Sequence, residues 1–211
     1  MFRVSCIQLK SNNNIQYNLK KTEKLIIKAV KQQTDFILTP EVSSMFSLNK
    51  KNLLKISTSM QNDIYLNGIK NLAKKYGKWI LIGSLIIRIK KNKLVNRSVL
   101  VSDKGKIKSY YDKIHMYDVI LSKKEKYFES NTFTPGKSIK SFKLPWGKLG
   151  LSICYDLRFP NLYRKLSKRG CHFLSVSSGF GHSVSSVRDA APGAFPSFAQ
   201  RAISSSRTLQ N

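Results

Sequence analysis

The chain has 211 residues, 41% of them apolar, which suits one domain with a substantial core and excludes disorder throughout. Its 38 basic and 11 acidic side chains leave a formal charge of +27, a field that would attract polyanions or acidic substrates. No apolar run reaches the roughly 18–20 residues of a membrane helix, and three sparse cysteines make no disulfide framework.

Taken in order, Phe2, Val4 and Cys6 alternate with Arg3, Ser5 and Ile7, the period of a strand. Asn12 to Asn14 offer helix caps, and Ile15, Leu19, Thr22, Ile26, Ala29 and Val30 follow at three-to-four spacing. Phe36-Ile37-Leu38 reads as a buried strand that Thr39-Pro40 stops. A second helix runs through Ile64, Ile69, Leu72, Ala73 and Tyr76 to Gly77, followed by a strand from Trp79 to Ile87. Turns at Lys91-Asn92 and Asp103-Lys104-Gly105 then separate strands at Leu94 to Val101 and Ile107 to Tyr111, a pair of hairpins.

Residues 112 to 137 read as irregular, closing at Pro135-Gly136. Strands resume at Ser138 to Leu144 and Leu149 to Ile153, flanking Pro145-Trp146-Gly147-Lys148. A helix from Phe159 to Arg169 leads into a buried strand from Phe173 to Val176. Helices alternating with strands, plus hairpins, give a layered α/β or α+β fold.

Lysine occurs 29 times up to Lys168 and never afterwards. The tail is rich in Ser, Ala, Gly, Arg and Phe, without clean periodicity. Its composition fits a different coding origin, such as a frame disruption, better than a specialised loop. The high lysine content elsewhere is scattered, and lysine exceeds arginine about three to one, as a compositional bias would produce. Nucleic acid is therefore not the expected partner, and the N-terminus Met1-Phe2-Arg3-Val4 opens no signal core. A cytoplasmic protein is expected.

Chemistry centres on Cys154, at a turn between the strand Leu149 to Ile153 and a segment beginning Tyr155-Asp156-Leu157-Arg158. Such an elbow exposes a side chain at a strand's carboxyl end, where free backbone N–H groups can stabilise a thiolate or an oxyanion. A cysteine is nevertheless more often a small core residue than a nucleophile. Glu41 stands at the tip of a buried strand, where partial desolvation favours proton transfer, though a glutamate after proline is ordinarily a solvated loop charge. Lys113 is one lysine among many. Glu129 is more informative, because acidic residues are scarce. A Cys–His pairing would need His115, His172 or His182, and Cys171-His172 reads as structural burial. No ligand spacing for a metal and no glycine-rich phosphate loop is present.

Together, Phe36-Ile37-Leu38-Thr39-Pro40-Glu41, Tyr111-Asp112-Lys113-Ile114-His115-Met116, Phe128-Glu129-Ser130 and Ile153-Cys154-Tyr155-Asp156-Leu157-Arg158-Phe159-Pro160 resemble the carbon–nitrogen hydrolase (nitrilase) superfamily. The likeness is to its Nit-type amidase branch, and runs in order from residue 1 to 176. Val4 to Leu9, Asn18-Leu19, Tyr76-Gly77, Ile82-Gly83-Ser84 and Asn96-Arg97-Ser98 support it. The resemblance implies an α-β-β-α sandwich. It implies Cys154 as nucleophile, Glu41 as general base, Lys113 on the oxyanion and Glu129 positioning substrate and lysine. Tyr155 would add a backbone N–H to the oxyanion site, with Asp156 and Arg158 bracing the elbow.

The implied reaction releases ammonia from a small amide, expected to be anionic, without cofactor or metal, in a homodimer. The family's later segments find only faint echoes at Val176 to Phe180 and Gln200 to Ile203. Residues 1–176 are thus read as the hydrolase domain and 177–211 as its divergent tail, with C-terminal strands missing, and an inactive remnant or a basic polyanion- or RNA-binding module as the alternatives.

Overall fold

The computed structural model describes residues 2–123, 125–179 and the strand Arg207–Leu209. His182, Phe180 and the segment from Gln200 to Ile203 lie outside the described residues. The first strand, β1 (Val4–Ile7), leads to helix α1 (Ile15–Lys31). Asn14 caps α1 by accepting the Tyr17 N–H at 2.9 Å, which satisfies one of the donors a helix start leaves free. Strand β2 (Phe36–Leu38) ends before Thr39-Pro40, as its sequence implies.

Helix α2 (Lys50–Ile56) was not legible from periodicity, because it buries only Leu53 and presents no apolar stripe. Helix α3 (Ile64–Tyr76) starts at Asp63, whose carboxylate accepts the Leu66 N–H at 2.7 Å. It stops at Gly77, held at φ 61°, a conformation in which glycine's missing Cβ removes the steric cost.

Strands β3 (Trp79–Lys90), β4 (Lys93–Val101) and β5 (Ile107–Asp112) extend the first sheet as antiparallel neighbours. With β11 (Arg207–Leu209), its order is β11-β1-β2-β3-β4-β5, parallel from β11 through β3. Residues 112–137 are less irregular than their polarity suggests. They contain a small hairpin of β6 (Asp118–Ile120) and β7 (Lys126–Phe128), then a 3₁₀ turn at Glu129–Asn131. Its apolar side chains Ile120 and Phe128 are exposed, so no buried face marks it in the sequence.

A second sheet holds β8 (Ser141–Leu144), β9 (Gly147–Ile153) and β10 (Phe173–Ser177) in the order β10-β9-β8. A 3₁₀ turn at Cys154–Arg158 makes a tight elbow ahead of α4 (Pro160–Lys168), which matches the helix expected from Phe159. The expected burial of Cys171-His172 is not observed. His172 is exposed, its ring nitrogen accepting the Lys148 N–H at 3.0 Å, and Leu174 is also exposed. Along β10 Ser175 and Ser177 are buried while Leu174 is exposed, so among the described residues one of its faces is covered; its edge pairs with β9 alone.

Side-chain alternation builds the layers. Ile37, Ile80 and Ile82 pack with Leu25, Ile26, Leu66 and Ile69 of α1 and α3 on one face of the first sheet. Phe36, Leu81, Leu100 and Tyr111 point the other way and meet Leu144, Leu149, Leu151 and Ile153 of the second sheet. On that sheet's far side, α4 buries Leu162 and Leu166; a Cβ on Gly150 would meet Leu166 at 3.1 Å. The result is helix, sheet, sheet, helix: a layered α/β sandwich of the expected class.

The first sheet carries one irregularity that matters for the site. The β3–β4 register shifts between Ile82 and Leu85, a bulge of the kind that re-aims neighbouring groups. A Cβ on Gly83 would lie 2.0 Å from the Thr39 carbonyl oxygen and 2.4 Å from that of Pro40. Both are backbone, which cannot swing aside. Gly83→Ala is expected to cost roughly 1–3 kcal/mol of unfolding free energy. Gly68→Ala, whose Cβ meets only the flexible Leu19 side chain, is expected to cost less. Equal urea midpoints for the two variants would contradict this packing.

Candidate active site

Glu41 follows β2 in a turn fastened from several directions. Val42 adopts φ 48°, an uncommon conformation for a β-branched residue. Its N–H donates to the Ser84 hydroxyl at 2.8 Å, and the Ser43 N–H to the Ser84 carbonyl at 3.0 Å. The Ser43 hydroxyl donates to Thr39 and to the Pro40 carbonyl at 2.8 and 2.6 Å. The bulge and the small residues Gly83 and Ser84 therefore dictate where Glu41 stands.

Lys113 leaves the end of β5, its N–H donating to the Asn96 carbonyl at 2.9 Å while its own carbonyl accepts the Gly136 N–H at 2.8 Å. Its buried ammonium lies 3.0 Å from Glu41 Oε1 and 2.8 Å from Glu129 Oε2. Burial works against this charge, but the two carboxylates outweigh it and hold the Lys113 pKa above the ordinary lysine value. Glu129 sits on the 3₁₀ turn after β7, where its Oε2 also accepts the Tyr117 N–H at 2.7 Å. Asn96, on β4, donates its amide to Glu41 at 2.8 Å and to Glu129 at 3.3 Å. Glu41 Oε2 receives the Gly179 N–H at 3.0 Å.

Cys154 stands at the elbow with φ 44°, outside the conformations most residues prefer. Its thiol is close enough to Glu41 and Lys113 to feel both charges. Burial, followed by the negative charge of Glu41, pushes the thiol up to about 12, against a smaller opposing pull from Lys113. The thiol is thus neutral at rest and next to a carboxylate. Cys154, Glu41, Lys113 and Glu129, far apart in the chain, meet in one cluster.

The elbow's support lies behind Cys154. Asp156 is fully buried and accepts from Tyr111 Oη at 2.8 Å, the Ile153 N–H at 2.9 Å and the His115 N–H at 3.1 Å. The His115 ring nitrogen lies 2.7 Å from Asp156, and its ring stacks on Phe159 at 3.6 Å between centroids. Asp156 thereby ties the elbow to the strand that carries Lys113. His115 belongs to this brace. Tyr155 is half-buried and packs edge-to-face against Tyr117 and Phe159; Arg158 is at the surface. Asn96 and Tyr111 lie in segments that carry the family resemblance, but their contacts to the site, like that of Tyr117, are made across the sheets or through backbone and are not legible in the sequence.

Among the described residues no group of three or more His, Cys, Asp or Glu could hold a metal ion, and no helix is long and apolar enough to cross a membrane. A model of the carbon–nitrogen hydrolase family matches residues 3–194. The chain belongs to this family. It is 33% identical to the deaminated glutathione amidase of Yersinia enterocolitica over 180 residues, covering 84% of this chain and 62% of that relative. The protein of the same name in Mus musculus is 32% identical over 183 residues, covering 84% and 56%. The chain therefore spans about 56–62% of the length of these two curated relatives.

The crystal structure of the C. elegans NitFhit protein superposes with a TM-score of 0.76 at 27% identity, over 89% of this chain and 47% of that one. An amidase from Nesterenkonia sp. shares the fold, with a TM-score of 0.73 at 20% identity over 90% and 69% of the two chains.

Removing one partner from a buried ion cluster leaves the others uncompensated. Lys113→Met, which leaves Glu41 and Glu129 without their cation, is expected to cost roughly 3–5 kcal/mol at neutral pH. The folded Lys113 pKa lies above its free value of 10.5. The stability it contributes is therefore complete below that value and lost as pH rises through the folded one. In urea titrations the gap between wild type and Lys113→Met should stay level from neutral pH to about 10 and narrow above. A gap that closes by pH 8 would contradict the assignment.

Proposed function

We propose that this chain carries the site of a thiol amidohydrolase that cleaves the C–N bond of a small linear amide and releases ammonia. The observation that carries the reading is the meeting of the Cys154 thiol with Glu41, whose carboxylate is paired to the buried ammonium of Lys113. With a thiol pushed up to about 12, only about one molecule in 10⁵ is thiolate at pH 7. A nucleophile of that kind needs a base within reach, and Glu41 is there.

The steps follow from these positions. As Sγ attacks the amide carbon and the C–S bond forms, Glu41 takes the thiol proton and the carbonyl electron pair moves onto oxygen. Lys113 and the Tyr155 backbone N–H hold that oxyanion, a contact worth roughly 2.7–4 kcal/mol in comparable sites. Collapse breaks the C–N bond, and Glu41 returns the proton to the departing nitrogen. Water then enters, gives a proton to Glu41 and attacks the thioester. Breaking the C–S bond releases the acid, and Glu41 returns its proton to the sulfur, restoring the thiol. Glu129, salt-bridged to Lys113 and held by the Tyr117 N–H, keeps the ammonium in place through both halves.

The substrate class rests on the relatives' names. Two proteins called deaminated glutathione amidase share about a third of their aligned residues with this chain, which supports an amide of a small deaminated compound carrying a carboxylate. The global positive charge of the chain neither adds to nor subtracts from this choice.

Ammonia release from a panel of such amides tests the reading. Wild type should turn over at least one of them, Cys154→Ala should fall to background, and Glu41→Gln should lose roughly 10²–10⁴ in rate. Equal release by wild type and Cys154→Ala would discard the mechanism.

A further inference from the structure

Asn96 is buried at 2% exposure, and among the described residues its side-chain hydrogen bonds go to the acidic pair alone. Its amide nitrogen lies 2.8 Å from Glu41 Oε1 and 3.3 Å from Glu129 Oε1. The two N–H bonds of one amide suit two carboxylates, and turning the group over would set its oxygen against both of them. The orientation is therefore dictated. Its consequence is that Asn96 Oδ1 is buried without a hydrogen-bond partner among the described residues. A buried orphan acceptor is unfavourable, and an apolar side chain of similar volume would avoid it.

Packing does not call for an amide here. The β4 backbone is fixed by its neighbours: Arg97 grips Asp112 with two nitrogens at 2.6 and 2.8 Å, and the Ser98 hydroxyl donates to the Ile82 carbonyl at 3.1 Å. The Asn96 carbonyl meanwhile receives the Lys113 N–H. One residue thus touches the lysine through its backbone and both glutamates through its side chain.

We propose that Asn96 is a positioning residue of this site: its amide clamps Glu41 and Glu129 onto Lys113 and fixes the carboxylate that takes the Cys154 proton. Asn96 and Lys113 converge on a single oxygen, Glu41 Oε1, which stops the carboxylate from rotating away from the thiol. The inference rests on the thiol–base reading of Cys154 and Glu41, but needs no particular amide substrate.

The test is alkylation by iodoacetamide, followed residue by residue by peptide mass spectrometry, in wild type, Asn96→Leu and Asn96→Asp. Cys171, half-buried just before β10, is the internal reference. In Asn96→Leu the Cys154 rate should fall about tenfold or more, with Cys171 within twofold of wild type. Asn96→Asp keeps the shape but replaces the donor with a third carboxylate, and should slow Cys154 at least as much.

A Cys154 rate within twofold of wild type in either variant overturns the proposal. So does a loss at Cys154 accompanied by faster Cys171 labelling and a lowered melting temperature in both variants, the pattern of a residue that merely holds the fold. Should wild type release no ammonia while the alkylation pattern is as expected, the amidase reading fails and the positioning role stands.

Discussion

One ammonium group held between two carboxylates organises this molecule. Lys113, Glu41 and Glu129 come from three separate segments, and bringing them together under the sheets desolvates all three. Such a cluster is tolerable only when every charge has partners at good geometry. That requirement accounts for the surrounding detail: the Asn96 amide, the Tyr117 and Gly179 N–H groups and the Gly83-Ser84 bulge each supply a contact or the room for one. The same cluster sets the character of Cys154, since burial and the charge of Glu41 together favour its neutral thiol.

The two sheets divide the labour around it. The first, backed by α1 and α3, delivers Glu41 at the end of β2 and Lys113 at the end of β5, beside Asn96 on β4. The second delivers Cys154 at the end of β9 and the Ser178–Gly179 backbone after β10. The groups thus meet near strand ends, where backbone turns out of the ladder and N–H groups become available. Asp156 is the joint between the halves, taking hydrogen bonds from Tyr111 of the first sheet and from the elbow of the second.

Much of this was legible in the sequence, for identifiable reasons. Helices α1 and α3 and strand β3 bury long, regular faces, so their periods survive in the residues. Helix α2 and the β6–β7 hairpin bury little and left no pattern. His172 was misread because strand-like neighbours imply burial on both faces, whereas β10 is covered on one. Cys154 and Glu41 were marked by strand-end position, but Lys113 could be singled out only through a family-like motif, since one lysine among 29 carries no signal. Asn96 stands in a family-like segment, Asn96-Arg97-Ser98, but its contacts could not be read there: its partners lie 55 and 33 residues away, and only the folded sheet brings them to it.

The central claim is that Cys154, activated by the carboxylate beside it, takes the acyl group of the substrate. Acid-quenching wild-type protein during turnover of an amide and locating the added mass by peptide mapping tests this directly. The account requires an acyl group on the peptide containing Cys154, released by hydroxylamine as a thioester should be. Ammonia production with that peptide unmodified, and the acyl group on another residue, would contradict it.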